Sequence, residues 1–352
     1  MKVCSNCFAD KELKGFISSS SEKGNCNVCD SENQQLLDIA EMLDFFQELI
    51  DNYQLTQTGE PLNAKIQGHW SFFSSHGVAN KILNFVLPQL STEVTSANEL
   101  VDYTNDIIEN YSHWELLKEE LKWNNRFVIN IERIEDLGWD GFFNTQYKLT
   151  SDIPLYRARL HHQSGLPVYE TEVMNCPPKE LAAGGRANPS GIPFLYLSDK
   201  PDTVLYEVRA SYLDELSVGT FQLKNGFDSV KLVDFTEDTP LFQPNANTVN
   251  KTIKSKLLRQ RISRDLSKPM RRYDSELEYI PTQFICEFIK VFTGANGIRF
   301  SSSLHPEGNN IVIFSQEIME CKSVKLMKIN SINLRAVELE SNNPSAGKEK
   351  LN

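Results

Sequence analysis

Four cysteines near the beginning of the chain have the spacing of a metal site. Cys4 and Cys7 form one C-x-x-C pair, Cys26 and Cys29 form another, and eighteen residues separate the two pairs. Each pair makes a tight turn that directs two thiolates to one point, so two pairs complete the closed tetrahedron of a structural zinc site. A redox-active C-x-x-C is the alternative, which two pairs at this spacing disfavour. We expect one zinc ion that supplies folding energy, because the intervening segment is too short and polar to form its own core.

The second half of the chain contains a few polar residues inside apolar runs. Each lies at the end of a predicted strand or on the helix that follows one. They are Tyr156, Arg157 and Arg159 in "LYRAR", Arg186 in "GGRAN", Tyr196 in "FLYLS", Glu207 in "LYEVR", and Ser301, Ser302 and Ser303 in "RFSSS". A structural Arg–Glu pair that closes a loop over a sheet is the alternative to a functional site, since structural networks also hold such charges. Taken alone, these residues do not decide between the two.

Three longer motifs, in this order, make the chain resemble the RES domain family, which is named for an arginine, a glutamate and a serine. They are "LYRAR", "GGRANPSGIPFLYLSDKPDTVLYEV" and "PTQFICEFIKVFTGANGIRFSSSLHPEGNNIVIF", and they cover about residues 150–318. The resemblance implies a fold like that of ADP-ribosyltransferase toxins. It also implies a toxin-like enzyme that destroys NAD at the nicotinamide–ribose bond, by phosphorolysis with inorganic phosphate as co-substrate or by hydrolysis. An antitoxin or another regulatory protein is the implied partner.

The resemblance also assigns roles to individual residues. The family arginine, glutamate and serine correspond to Arg186, Glu207 and Ser302, with Ser301 and Ser303 as alternates for the serine. Substrate-binding positions correspond to Tyr156, Arg157 and Tyr196. Cleavage of the glycosidic bond passes through an oxocarbenium-like ribose, which the glutamate would stabilise while the arginines bind phosphate groups. Ser302 would hold a ribose hydroxyl or orient Glu207.

The chain departs from the family pattern in two respects. Ala187 follows the family arginine, where many members have an aromatic residue. The chain also carries a long N-terminal extension, which is similar to the HEPN-associated segment attached to some RES proteins. HEPN ribonucleases use an arginine that is followed closely by a histidine, and neither Arg126 nor Arg133 is followed in this way. We therefore expect no ribonuclease activity.

Two other functions stay open. An ADP-ribosyltransferase that modifies a macromolecule is disfavoured, because many arginine-directed members carry Glu-x-Glu and Leu205 stands at the first of these positions. A non-catalytic module that binds NAD or ADP-ribose would keep the same residues without turnover.

Helical patterns predominate between the cysteines and the polar constellation. Ser31 with Gln34 and Ser96 with Glu99 match the capping-box pattern, and apolar residues at three- and four-residue steps follow each pair. We therefore predict a zinc-binding module over residues 1–30 and a helical domain over residues 31–145. His69, His76 and His113 lie in this region without a partner at metal-ligand spacing, and we interpret them as surface or core histidines.

Short strand-like runs begin near residue 151, with helices predicted at residues 202–210, 248–266 and 282–292. Asp199 is expected to cap the first of these helices, and Pro201 to lie in its first turn. Strands and helices mixed without regular alternation predict an α+β domain over residues 150–335, with a split, largely antiparallel sheet. No GxGxxG or Walker A motif is present. The polar segment 336–352 is predicted to be disordered.

Composition and charge limit the classes of ligand and the cellular location that we expect. The 352 residues carry a formal net charge of −11, which opposes nucleic-acid binding, although residues 251–272 form a basic segment that solvent or an anionic ligand would face. No apolar stretch is long enough to cross a membrane, and the first residues lack the apolar core of a signal peptide. We therefore expect a cytoplasmic protein with NAD as its small-molecule substrate, and leave homo-oligomerisation open.

Overall fold

The structure, a computed structural model, describes residues 1–144, 146–243, 247–269 and 276–333. Within these ranges the α-helices are α1 Lys11–Ser18, α2 Leu43–Ile50, α3 Leu62–Trp70, α4 His76–Val86, α5 Asn105–Trp123, α6 Ile131–Asp136, α7 Pro201–Glu207, α8 Val249–Ser267 and α9 Ile280–Phe292. The strands are β1 Lys2–Cys4, β2 Lys23–Gly24, β3 Gln34–Asp38, β4 Tyr53–Pro61, β5 Leu100–Tyr103, β6 Gln146–Thr150, β7 Leu155–Leu160, β8 Leu195–Ser198, β9 Glu215–Leu223, β10 Ser229–Asp234, β11 Gly297–Ser301, β12 Asn309–Ile313 and β13 Met319–Lys328. The predicted α+β class is confirmed.

The helix predicted to begin near Ser31 is wrong over its first turns. Residues of that segment form β3, which pairs with β1 and β2 in a small antiparallel sheet around the cysteines. Cys4 lies opposite Leu36 in this sheet. The helix begins only at α2, because β3 satisfies its backbone groups across the sheet rather than along a helix.

The second capping-box prediction fails in a similar way. Glu99 does accept a hydrogen bond from the main-chain N–H of Ser96, at 3.2 Å. The following residues nevertheless form β5, which pairs antiparallel with β4, and α5 begins only at Asn105. The capping contact therefore stabilises a turn before a strand, because pairing with β4 takes up the next backbone groups.

An eight-stranded mixed sheet forms the second half, in the order β13-β9-β7-β8-β12-β11-β10-β6. The β10–β11 pair is parallel and the other neighbours are antiparallel, as predicted for a largely antiparallel sheet. Between β7 and β8 a single residue pair, Tyr156 with Ser198, joins the strands. The sheet is therefore split at this junction. Edge strand β6 was missed, because most of its residues fell between the two predicted domains, 31–145 and 150–335.

The three helices predicted for the second half are present as α7, α8 and α9. The capping role expected for Asp199 is wrong: its carboxylate accepts hydrogen bonds from the main-chain N–H and the side chain of Asn309, at 2.8 and 2.7 Å. Asp199 thus ties the start of α7 to β12. The predicted disordered segment 336–352 lies outside the described residues.

Two apolar cores extend across the boundary between the N-terminal region and the second half. One contains Phe46 and Phe72 together with Phe242 and Ile253. The other packs residues of α5 and α6 against α8, α9 and the central strands. The N-terminal region and the eight-stranded sheet therefore share their cores. No helix in the described ranges is long and apolar enough to cross a membrane.

Candidate active site

A cavity of about 370 Å³ opens where the sheet splits between β7 and β8. Its walls come from both strands, from the end of α7, from the loop after β11 and from the segment after α8. The lining residues that bear charge or hydroxyl and amide groups are Arg157, Arg186, Tyr196, Ser198, Glu207, Arg209, Ser267, Tyr279, Ser303 and Asn310. The pairing of β7 with β8 stops after the single residue pair Tyr156–Ser198, and residues of both strands line the cavity there.

Glu207 is the last residue of α7 and its side chain is accessible from the cavity. Its Oε1 accepts hydrogen bonds from Ser302 Oγ and from Asn310 Nδ2, each at 2.7 Å. Asn310 is in turn oriented by Ser198, whose hydroxyl donates to Asn310 Oδ1 at 2.8 Å. Because both donors converge on one oxygen, the carboxylate is held in a defined position at the cavity wall.

Ser302 is buried behind Glu207. Besides donating its hydrogen to the carboxylate, its oxygen accepts hydrogen bonds from the main-chain N–H groups of Leu304 and His305, at 3.2 and 3.1 Å. A hydroxyl has one donor and two acceptor sites, so these three bonds use its full capacity. Of the two roles expected for Ser302, the geometry favours orienting Glu207 over holding a ribose hydroxyl.

The two alternate serines are placed differently. Ser303 lines the cavity. Ser301 is exposed and offers its main-chain oxygen to Ser267 Oγ at 2.8 Å. The loop that carries these serines approaches α7 so closely that a Cβ on Gly308 would lie 1.9 Å from Thr203 Oγ1, so only glycine fits there.

Arg186 lies in the loop between β7 and β8, and its main chain is fastened to α9. Thr282 Oγ1 donates to the main-chain oxygen of Arg186 at 2.6 Å. Its guanidinium Nη1 donates to the main-chain oxygen of Leu266, at the end of α8. Burial lowers the pKa of Arg186, and Tyr279 and Glu207 offset part of this effect. The guanidinium is thus a partly desolvated cation at the cavity wall.

Arg157 projects from β7 into the same cavity. Burial, followed by the charge of Arg159, lowers the pKa of Arg157. Its Nη1 atom is buried and has no hydrogen-bond partner among the described residues. A buried guanidinium nitrogen that lacks an acceptor is costly.

Tyr196 lines the cavity from β8, and its hydroxyl organises the arginine loop. The hydroxyl donates to Asn188 Oδ1 at 2.7 Å and accepts from the main-chain N–H of Ala187 at 2.9 Å. Burial is the main cause that raises the pKa of Tyr196, so the phenol stays neutral. A Cβ on Gly185 would lie 2.7 Å from this hydroxyl, which explains the glycine before the arginine. Ala187 is fully buried against the second core.

The sixth sequence-predicted position, Tyr156, does not line the cavity. It packs against an apolar cluster that includes Val204 and Leu216. Sequence reasoning also missed Ser198, Asn310 and Arg209. Ser198 and Asn310 are polar residues at strand ends, and this signal is present in the printed sequence, but only their pairing across β8 and β12 brings them to Glu207.

The cavity is electropositive although the whole chain is acidic. Arg157, Arg186 and Arg209 line it, and Glu207 is the one carboxylate among its described lining residues. A site with this balance favours a ligand that carries several negative charges. Three basic side chains of α8 are paired with carboxylates: Lys254 with Asp106, Lys256 with Asp238 and Arg261 with Glu115.

The four cysteines Cys4, Cys7, Cys26 and Cys29 form a second constellation, far from the cavity in sequence. Their Sγ atoms all lie within 4.8 Å of one another, and none is in a disulfide. Tetrahedral zinc with Zn–S bonds of about 2.3 Å would separate its sulfurs by about 3.8 Å. Burial raises the pKa of Cys4 to about 11, so a bound cation is what would stabilise its thiolate. These residues fit a closed metal site.

The three histidines of the N-terminal region lie outside any such group. Among the described residues, the four cysteines are the one group of histidine, cysteine or acidic side chains arranged to hold a metal ion. His69 Nδ1 instead bonds to the Tyr103 hydroxyl at 2.8 Å, and His113 packs on Trp139.

Comparison with known proteins gives one finding. A family model described as RES domain matches residues 154–333, which include all the described residues that line the cavity. No curated protein and no solved structure shows a significant match to the chain.

Proposed function

The chain belongs to the RES domain family, and on this premise we propose that it cleaves the nicotinamide–ribose bond of NAD, with inorganic phosphate or water as the acceptor. The family is generally associated with enzymes that act on NAD, and toxin-like activity and an ADP-ribosyltransferase-like fold belong to the same proposal. The match covers about half of the chain.

The position of Glu207 is the observation that carries the proposal. Its carboxylate is fixed by Ser302 and Asn310 at 2.7 Å and is accessible from a cavity whose other charges are guanidinium groups. A dinucleotide presents the complementary pattern, because it has a pyrophosphate for the guanidiniums and a cationic nicotinamide-ribose for the carboxylate. A purely structural Arg–Glu pair would bring the two side chains into contact, whereas Arg186 bonds to Leu266.

The chemistry needs few groups. The bond between the ribose carbon C1″ and the nicotinamide nitrogen breaks, and its electron pair leaves with nicotinamide, which becomes neutral. Positive charge develops on the ribose, and Glu207 stabilises it across the cavity. An oxygen of phosphate or water then bonds to C1″, and water delivers its proton to solvent. Arg157 and Arg186 bind phosphate oxygens, and Tyr196 forms the wall against the nicotinamide ring.

Zinc would serve the N-terminal module. Cys4, Cys7, Cys26 and Cys29 would hold it, and a four-thiolate site leaves no open position for catalysis. β1 and β3 carry and flank this cluster, and Asp10 beside it accepts hydrogen bonds from the main-chain N–H groups of Leu241 and Phe242, at 2.8 and 3.2 Å. The metal would therefore stabilise a module that packs against the catalytic half.

Product analysis with NAD tests the function. Purified full-length protein is incubated with NAD, with and without inorganic phosphate, and the products are identified. Nicotinamide released only with phosphate indicates a phosphorylase, and release without phosphate indicates a hydrolase. Labelled protein would indicate a transferase, and NAD binding without release would indicate a binding module; either result would contradict the proposal.

A matched pair of variants tests the carboxylate. Glu207→Gln keeps the size and hydrogen bonding but removes the charge, so we expect a loss of roughly a hundred- to a thousandfold in kcat with little change in NAD affinity. The control is Glu307→Gln in the loop between β11 and β12, where the carboxylate is exposed and faces Lys200 at 3.8 Å. Near wild-type turnover by Glu207→Gln would place the catalytic carboxylate elsewhere.

A further inference from the structure

Arg209 has a backbone conformation that ordinarily selects glycine. It follows the end of α7 with φ of +52°. Its N–H donates to the main-chain oxygen of Tyr206 at 2.9 Å, and the N–H of Ala210 donates to that of Leu205 at 3.1 Å. These two bonds form the Schellman motif, in which the left-handed residue is usually glycine because a Cβ is sterically unfavourable there.

The side chain of Arg209 supplies a reason for this unfavourable choice. Arg209 lines the cavity together with Arg186, two residues from Glu207 in sequence. Burial lowers the pKa of Arg186, and the charge of Arg209 lowers it further, so the two guanidiniums lie within each other's field. An anion that lies between the two guanidiniums is attracted by both. Arg157, whose buried Nη1 has no hydrogen-bond partner among the described residues, lines the same cavity.

We propose that Arg209 is a specificity-determining residue that binds, together with Arg186, a phosphoryl group in the cavity. The inference rests on the proposed function for the identity of the ligand. Two sources carry this chemistry: the pyrophosphate of the dinucleotide, and the inorganic phosphate that would accept the ribosyl group. Guanidinium forks recognise both through paired hydrogen bonds. The residue with the left-handed backbone therefore lies at the same cavity as Glu207.

Arg209→Gly is the informative variant, because glycine is well suited to the backbone conformation. Leu213→Gly is the matched control: Leu213 also has a left-handed backbone, with φ of +70°, and it is exposed away from the cavity lining. Calorimetric titration of the full-length protein uses ADP-ribose and inorganic phosphate as separate probes. We expect Arg209→Gly to weaken the binding of at least one probe about ten- to a hundredfold, and Leu213→Gly to bind both as wild type does.

The two probes distinguish the pyrophosphate of the dinucleotide from the inorganic phosphate acceptor. Weaker binding of ADP-ribose alone assigns Arg209 to the pyrophosphate, and weaker binding of phosphate alone assigns it to the acceptor. Arg209→Lys keeps the charge without the fork, so it should show an intermediate loss, and it replaces the glycine variant if that variant does not fold. Wild-type affinity in both Arg209 variants, or a wild-type protein that binds neither probe, would overturn the inference. The titrations measure binding and not turnover. A negative binding result for Arg209 is therefore distinct from loss of the proposed catalytic function, which is measured by nicotinamide release.

Discussion

Removing the Ser302 hydroxyl should lower kcat, although the hydroxyl does not itself contact the substrate. The hydroxyl donates to Glu207 Oε1 at 2.7 Å and accepts from the N–H groups of Leu304 and His305. Ser302→Ala therefore releases one of the two donors that hold the carboxylate and leaves two loop amides without their acceptor. Asn310 stays on the same oxygen at 2.7 Å, so Glu207 is loosened rather than freed.

The expected magnitude follows from the kind of bond and from its exposure. A hydrogen bond to a charged group contributes about 1.5–3 kcal/mol. Glu207 is accessible to solvent in the cavity, where water can replace part of the lost bond, so the lower end applies. About 1.4 kcal/mol of lost transition-state stabilisation lowers kcat about tenfold. Removing Asn310 as well should lower kcat on the order of a hundredfold or more, since both donors act on one oxygen.

Steady-state kinetics of nicotinamide release measures this effect. Ser302→Ala should lower kcat while KM for NAD changes by less than about twofold, because a positioning residue acts on the transition state. Ser301→Ala is the matched control, since Ser301 contributes its main-chain oxygen to Ser267 and its side chain is exposed. Thermal unfolding of both variants shows whether the loop remains folded.

Two results would refute this reasoning. If folded Ser302→Ala retains wild-type kcat, the position of Glu207 does not depend on the serine. If Ser301→Ala loses as much activity as Ser302→Ala, the effect comes from the loop as a whole and not from the bond to the carboxylate.

Three further predictions concern the N-terminal region and its contact with the catalytic half. Cys26→Ser should abolish binding of one zinc per chain, measured by elemental analysis, and lower the melting temperature, because three thiolates do not close the site. Burial, followed by the charge of Lys65, lowers the pKa of His69 below 6.5. The unfolded chain then binds more protons, so the free energy of unfolding should fall below about pH 6.5, by at most about 1.4 kcal/mol per pH unit; His69→Gln should reduce this slope in denaturant titrations. Asp265 on α8 accepts from Trp114 Nε1 at 2.7 Å and Lys118 Nζ at 2.9 Å, so Asp265→Asn should lower stability by about 1–3 kcal/mol in the same titrations.

Each of these predictions has a contradicting outcome. Wild-type protein without zinc after purification would exclude the metal site. An unchanged pH slope in His69→Gln, compared with the exposed His76→Gln, would show that His69 does not titrate with folding. Unchanged stability of Asp265→Asn would mean that the hydrogen bonds of Asp265 to Trp114 and Lys118 do not contribute to holding α5 on α8.

The sequence by itself determined the features that depend on local spacing. Paired C-x-x-C motifs predicted the cysteine cluster, and the structure brings all four Sγ atoms together. The second-half helices and seven of the eight strands followed from apolar periodicity and turn residues. The resemblance to the RES family rested on motifs in order, and the family model confirms it over residues 154–333. These signals are local because a metal knuckle, a turn or an amphipathic face needs only a few neighbouring residues.

Long-range pairing decided the rest. Gln34–Asp38 has a helical pattern but forms a strand, because β1 and β2 offer it partners around the cysteines. Asp199 caps no helix because Asn309, far along the chain, offers its amide groups. The single residue pair that joins β7 to β8 opens the cavity, and the neighbouring strands place Asn310 on Glu207. Such contacts form between residues that are distant in sequence, and they depend on how the shared cores pack. A local sequence pattern therefore does not predict them.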